Sequence, residues 1–206
     1  MKIYDISMTL NTETAEWEGD TPFQFELAWT KEQSGSVNVG KITTSTHIGT
    51  HIDAPFHFQE DGLKVEQLPL ENYVTNAVIV DVRGKTLITE SDLPTTLEAN
   101  VKAVLFHTDA WKDRTVFPKE IPVFHENVVD WMTKHLVTLF GVDLPSVDPI
   151  TSKDLPFHHR LAKAGKYILE GIVLGDLTDG VYELIALPLK IEGADGSPVR
   201  AILIER

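Results

Sequence analysis

Fourteen consecutive residues, "STHIGTHIDAPFHF" (45–58), carry three of the chain's eight histidines and an aspartate. His47, His51, Asp53 and His57 follow the pattern H-x3-H-x-D-x3-H. Imidazole nitrogen and carboxylate oxygen are the sulfur-free donor set for zinc or a similar divalent ion. On a helix the four positions would divide into two nearly opposed groups. On an extended chain the offsets of 4, 6 and 10 are all even, so all four side chains share one face. The β-branched run "KITTST" (41–46) favours extension. Gly49 lies on the same face and leaves room for an ion or a substrate. Pro55 cannot continue a central strand, so the chain is expected to bend there and aim His57 separately. A polar surface strand is the simpler reading, but two histidines and an aspartate on one face favour a metal site. The repeated "THI" triplet is then the spacing of two ligands.

A catalytic metal site needs further ligands from elsewhere in the chain. "PFHHRLAKAGKYILEG" (156–171) offers His158 or His159 and, inside an otherwise apolar strand, Glu170. A buried glutamate there must be paired or bound to a cation; on an edge strand it could simply face outward. Other chemistries lack their residues. No G-x-S-x-G elbow seats a nucleophilic serine, and no G-x-G-x-x-G marks a dinucleotide site. "RGKT" (83–86) matches the end of a phosphate loop, but the position that needs glycine is Ile79. With no cysteine, disulfides, thiolate nucleophiles and cysteine metal sites are excluded.

The elements that must position these groups are mostly strands. "NAVIVDV" (76–82), "VKAVLFHT" (101–108), "VTLFGVD" (137–143), "KYILEGIVL" (166–174), "YELIALPLKI" (182–191) and "VRAILIE" (199–205) are short, apolar and rich in Val, Ile and Leu. "GADGSP" (193–198) reads as the turn of a C-terminal hairpin between the last two. Two helices are predicted. One covers 125–136, with Val128, Val129, Met132 and Leu136 at helical spacing; the other covers 151–165, with Thr151 or Ser152 as N-cap and Gly165 as its stop. The mixture predicts an α+β or α/β fold with a substantial mixed sheet or barrel. With no repeat or linker, residues 1–206 parse as a single domain.

The balance of 31 acidic against 18 basic residues gives a formal charge of -13, which disfavours nucleic acid and anionic membrane partners. "MKIYDISMTL" lacks the apolar core of a signal peptide. No apolar run approaches the ~18 residues of a membrane span. A cytoplasmic location is expected.

Taken together, "STHIGTHIDAPFHF" resembles the H-x-G-T-H-x-D-x-P-x-H signature of the metal-dependent hydrolases of the cyclase family, nearest its bacterial kynurenine formamidases (arylformamidases). "YDISMTL", "FGVDLPSVDP" (140–149), "HHRLAKAGKYILEGIVLGDL" (158–177) and "LPLKIEGADGSPVRAIL" (187–203) also look family-like, so the resemblance spans most of the chain. It implies a β-barrel-like core with surrounding helices (a swivelling β/β/α-like fold), a homodimer, and two Zn2+ per subunit, with Mn2+ as the alternative. It assigns His47, His51 and Asp53 as metal ligands, Asp53 bridging. The family spacing of twelve residues between histidine and glutamate selects His158 with Glu170, and His159 only if the register shifts. His57 is implied as proton donor and acceptor, against a role as a third ligand or an orienting group.

Trp17, in the polar "AEWEGD" (15–20), could merely cover an edge of the core; the resemblance makes it the platform for an aromatic substrate. Trp29, Trp111 and Trp131 read as core or interface. "HTDAW" (107–111) departs from the TGW-like stretch of the family, which bears on pocket detail. The implied reaction is hydrolysis of N-formyl-L-kynurenine to L-kynurenine and formate by water that the metal has acidified. The alternatives are another amide hydrolase of the family, such as an isatin hydrolase, and a non-catalytic metal- or ligand-binding protein on the same scaffold.

Overall fold

Apolar β-branched runs build a sheet whose central strands are buried on both faces. The computed structural model describes residues 1–206. Its strands are β1 (Lys2–Asp5), β2 (Gln24–Trp29), β3 (Val39–Thr43), β4 (His51–Asp53), β5 (Val74–Asp81), β6 (Leu87–Ile88) and β7 (Val101–His107). They continue with β8 (Val123–Phe124), β9 (Leu139–Val142), β10 (Tyr167–Glu170), β11 (Gly180–Ile185), β12 (Gly196–Pro198) and β13 (Ile202–Glu205). The helices are α1 (Lys31–Ser34), α2 (Asn127–Lys134) and α3 (Pro156–Lys163).

Nine strands form one mixed sheet in the order β1-β13-β11-β5-β7-β9-β10-β4-β12. The run β5-β7-β9-β10 is parallel and its flanks are antiparallel. Along β5, Ala77 and Ile79 enter one apolar cluster with Leu105 and Leu139, while Val78 and Val80 enter another with Phe106 and Met132. Double-sided burial explains why these strands read as continuous apolar runs rather than alternating ones. The sheet is curled: Val173 N donates to Ile6 O at 2.8 Å, and Ile6 N donates to Ala201 O at 3.0 Å, tying the β1 side to the end of β10. This is the mixed, barrel-like α+β architecture that was expected. No helix is long and apolar enough to cross a membrane.

Three local expectations are corrected. α2 buries Val128, Val129 and Met132, but Leu136 lies beyond its end at φ 58° and is 66% exposed; Val137 takes the core position instead. α3 begins at Pro156, with neither Thr151 nor Ser152 as its cap. The Asp148 carboxylate accepts the N–H groups of Phe157 and His158, satisfying the free donors and positive dipole of the helix start. The last strands do pair, β11 antiparallel to β13, but not through a tight turn. The chain between them detours to lay β12 beside β4, because the extended edge of β4 offers it a ladder. Trp111 and Trp131 are buried as expected, whereas Trp29 is 63% exposed on β2.

Candidate metal centre

β4 and β10 supply the floor of the site. They run antiparallel, with His51 opposite Glu170 and Asp53 opposite Ile168. Directly paired residues, and those two apart on one strand, point to the same face. His51, Asp53 and Glu170 therefore converge, and all three are buried. α3 brings His158 over them, and a 3-10 turn at Pro55–His57 provides the bend that presents His57.

Residues 46–50 correct the expectation of one extended face: only His51–Asp53 is strand, and the preceding segment is bent. Gly49 has φ 62°, and a Cβ there would meet Leu10 Cδ2 at 2.5 Å. Its absent side chain serves backbone conformation and close packing rather than space for an ion. His47 reaches the centre because the bend swings it back: its Nδ1 lies 2.9 Å from Asp53 Oδ1.

The hydrogen positions on two rings follow from their partners. His51 Nδ1 lies 3.1 Å from the carbonyl oxygen of Gly49, which can only accept, so Nδ1 carries the hydrogen. His51 Nε2 then faces Asp53 Oδ1 at 3.4 Å and Glu170 Oε2 at 3.3 Å. His158 repeats the arrangement. Its Nδ1 donates to Asp148 Oδ2 at 2.7 Å, and its Nε2 faces Asp53 Oδ2 at 3.5 Å and Glu170 Oε1 at 3.8 Å. In the neutral rings, lone pairs on both Nε2 atoms point at two buried carboxylates. Only a cation among them, either protons or a metal ion, makes that stable.

The titration behaviour carries the same message. Burial alone would lower the pKa of His51, but hydrogen bonds to Asp53 and Glu170 outweigh it and hold it up to about 10. For His158 burial is outweighed by Asp148 and Asp53, again to about 10. For His47 burial is outweighed by Asp195 and Asp53, to about 9. Burial would raise Asp53, yet the three surrounding imidazoles hold it well below the usual carboxylate range. Burial and the charge of Asp53 push Glu170 up. His57 differs: burial lowers it, and Asp53 recovers only part of the shift, so this ring is neutral near pH 7.

The donor atoms fall into triads within metal-ligating reach of one another: His47, His51 and Asp53; Asp53, His158 and Glu170; and His47, His57 and Asp195. Asp53 is common to the first two. His47, His51, Asp53, His57, His158 and Glu170, with Trp17, all line one cavity of about 490 Å³. His159 is exposed and outside it. Trp17 meets Phe117 edge-on with ring centroids 5.1 Å apart, giving the cavity an aromatic wall. Two acidic groups were missed from sequence. Asp148 lies in "FGVDLPSVDP", where helix capping was the available signal. Asp195 lies in "GADGSP", where an aspartate in a turn cluster carries no signal.

A curled mixed sheet with a buried, sulfur-free histidine and carboxylate centre defines a protein built to hold a divalent metal ion, and comparison with known proteins narrows it. The Cyclase family model matches residues 4–149, and the chain belongs to that family. It is 49% identical over 199 residues to a kynurenine formamidase from Geobacillus thermodenitrificans, covering 97% of this chain and 95% of the relative. It is 48% identical over the same span to a kynurenine formamidase from Bacillus cereus, with the same coverage. Among solved structures, one described as a predicted metal-dependent hydrolase from Bacillus stearothermophilus superposes with a TM-score of 0.82 at 27% identity, over 100% of this chain and 98% of that one. Isatin hydrolase A from Ralstonia solanacearum gives a TM-score of 0.82 at 26% identity, over 99% and 92%.

Proposed function

We propose that residues 1–206 form a single hydrolase domain that converts N-formyl-L-kynurenine and water to L-kynurenine and formate. The observation that carries this is the convergence of His51 Nε2, His158 Nε2 and the carboxylates of Asp53 and Glu170 on the floor of a cavity with an aromatic wall. The 49% identity to a kynurenine formamidase selects the substrate. Zinc, two ions per subunit, fits the donors. His47, His51 and Asp53 would hold one ion; Asp53, His158 and Glu170 the other. Mn2+ suits the same imidazole and carboxylate set less well.

Bound there, the cations supply Lewis acidity and lower the pKa of water. The chain's own groups do the rest. Asp53 and Glu170 offset the positive charge in a buried site. Neutral His57, on the cavity wall, accepts a proton from the attacking water and returns it to the aniline nitrogen as the C–N bond breaks. Trp17 and Phe117 offer an aromatic face to the anthraniloyl ring. Lys153 and Glu18, also lining the cavity, complement the carboxylate and ammonium groups of an amino acid.

A homodimer is supported by β2 and β3, which pair as a two-stranded ribbon with every residue exposed. Phe25, Trp29 and Ile42 are each more than half exposed. Such ribbons are marginal alone, and apolar patches of this kind mark interfaces. A cytoplasmic location accords with the absence of cysteine. The decisive experiment compares the zinc-loaded protein on N-formyl-L-kynurenine and on isatin. Faster turnover of the formamide, abolished by chelation and restored by zinc, is expected. Faster turnover of isatin would overturn the substrate, and metal binding without turnover of either would leave a non-catalytic scaffold.

A further inference from the structure

One carboxylate stands behind the cavity wall and touches both rings on it. Asp195 Oδ2 lies 3.0 Å from His47 Nε2 and 3.4 Å from His57 Nδ1, and those two rings lie tilted at 34° to each other with centroids 3.8 Å apart. Its other oxygen, Oδ1, accepts the Thr46 hydroxyl at 2.8 Å, which fixes the rotation of the carboxylate. The backbone is pinned as well. Ala54 N donates to Asp195 O at 2.9 Å, and the next residue, Gly196, pairs with Asp53 across the β12–β4 ladder. A Cβ on Gly196 would fall 2.6 Å from His47 Cε1, so only glycine lets this strand approach closely enough for Asp195 to reach both imidazoles.

From this geometry we infer that Asp195 is a positioning residue for His57. A carboxylate facing Nδ1 accepts its hydrogen and thereby selects the tautomer whose Nε2 lone pair is free for the cavity that His57 lines. The inference rests on the formamidase reading above. In that reaction a proton of the attacking water passes to His57 Nε2 as its oxygen bonds to the formyl carbon. The same proton passes to the departing nitrogen as the C–N bond breaks. Asp195, held in place by Thr46, keeps the ring oriented throughout. Without it, the ring can turn or take the other tautomer, and the poor amine leaving group goes unprotonated.

The test is a comparison of leaving groups with the zinc-loaded enzyme. Asp195→Asn preserves shape but replaces one acceptor oxygen with a donor. Wild type and variant are assayed on N-formyl-L-kynurenine and on 4-nitrophenyl formate, whose phenolate leaves without a proton. The expected result is a fall of about 100-fold in the amide-to-ester ratio of kcat, in the range ascribed to general acid–base catalysis. Because Asp195 also stands behind His47, metal affinity is expected to fall as well, so both proteins are assayed at saturating zinc with full occupancy verified by elemental analysis. KM is expected to stay unchanged. Thr46→Val, which frees the carboxylate to rotate, should shift the ratio the same way by less. On a His57→Gln background, Asp195→Asn should have no further effect on the amide. Equal losses on amide and ester at full zinc occupancy, or additivity with His57→Gln, would each overturn the role. A wild-type enzyme inactive on the formamide would instead overturn the formamidase reading, and this inference with it.

Discussion

Glu170 and His51 are direct cross-strand partners in the β10–β4 ladder, and their side chains meet at 3.3 Å. Main-chain register therefore sets the spacing of these two groups, which lie far apart in the sequence. Glu170 is held from behind as well, because its Oε1 accepts the N–H of Val147 at 2.9 Å. A site built this way is preorganised by the sheet and costs little reorganisation when a cation enters.

Asp148 should matter for the metal without touching it. It accepts from His158 Nδ1 at 2.7 Å and from the first N–H groups of α3. Asp148→Asn is expected to weaken metal affinity by about 10–100-fold, the usual cost of losing a partner behind a ligand histidine. Competition with a chelating dye would measure it. Unchanged affinity would remove Asp148 from the metal-supporting shell.

The clustered imidazoles predict a pH response that is strong without metal and weak with it. Folded His51 and His158 keep their protons up to about 10, whereas an unfolded-chain imidazole releases near ~6.5. For a raised pKa the stabilisation is complete below the unfolded value and is lost as pH rises through the folded one. The metal-free protein should therefore lose thermal stability from about pH 6.5 to 10, and the zinc-loaded protein should lose much less. Zinc binding at pH 7 should release protons into a weakly buffered indicator solution; binding without release would contradict this charge assignment.

Gly171 is the tightest point under the site. It has φ 65°, and a Cβ would stand 2.0 Å from Gly49 O, a backbone atom that cannot swing aside. Gly171→Ala adds a strained left-handed residue to this clash, for an expected cost of about 2–5 kcal/mol. Because Gly171 directly follows Glu170, metal content should fall together with the midpoint of thermal unfolding. A variant of wild-type stability would show that the β10 end can relax.

Trp17 tests the aromatic wall. It is 38% exposed and packs edge-on against Phe117. An aromatic pair contributes ~0.5–1.5 kcal/mol beyond area burial, so Trp17→Ala should raise KM for N-formyl-L-kynurenine by about tenfold at most. Hydrolysis of an aliphatic formamide should not change. Equal effects on both substrates would assign Trp17 to the fold rather than to recognition.

Much of this protein was legible in one dimension where local physics is decisive. Apolar, β-branched runs marked β5, β7, β9 and β10 because strands buried on both faces need continuous hydrophobic sequence. The crowding of His47, His51, Asp53 and His57 marked a metal-type centre, since so many costly polar groups in one short stretch need a shared purpose. What the sequence could not supply were relations made by long-range register and chain path. The shared extended face expected for His47, His51, Asp53 and His57 dissolved because the bend around Gly49 overrides β propensity. His158 was separated from His159 by the rotation of α3, and Glu170 was turned inward by pairing with β4. Asp195, in what reads as a plain turn, reached His47 and His57 only because Gly196 lets β12 close against β4. Side-chain type determined which chemistry was available, and tertiary packing decided which atoms face each other across a few ångströms.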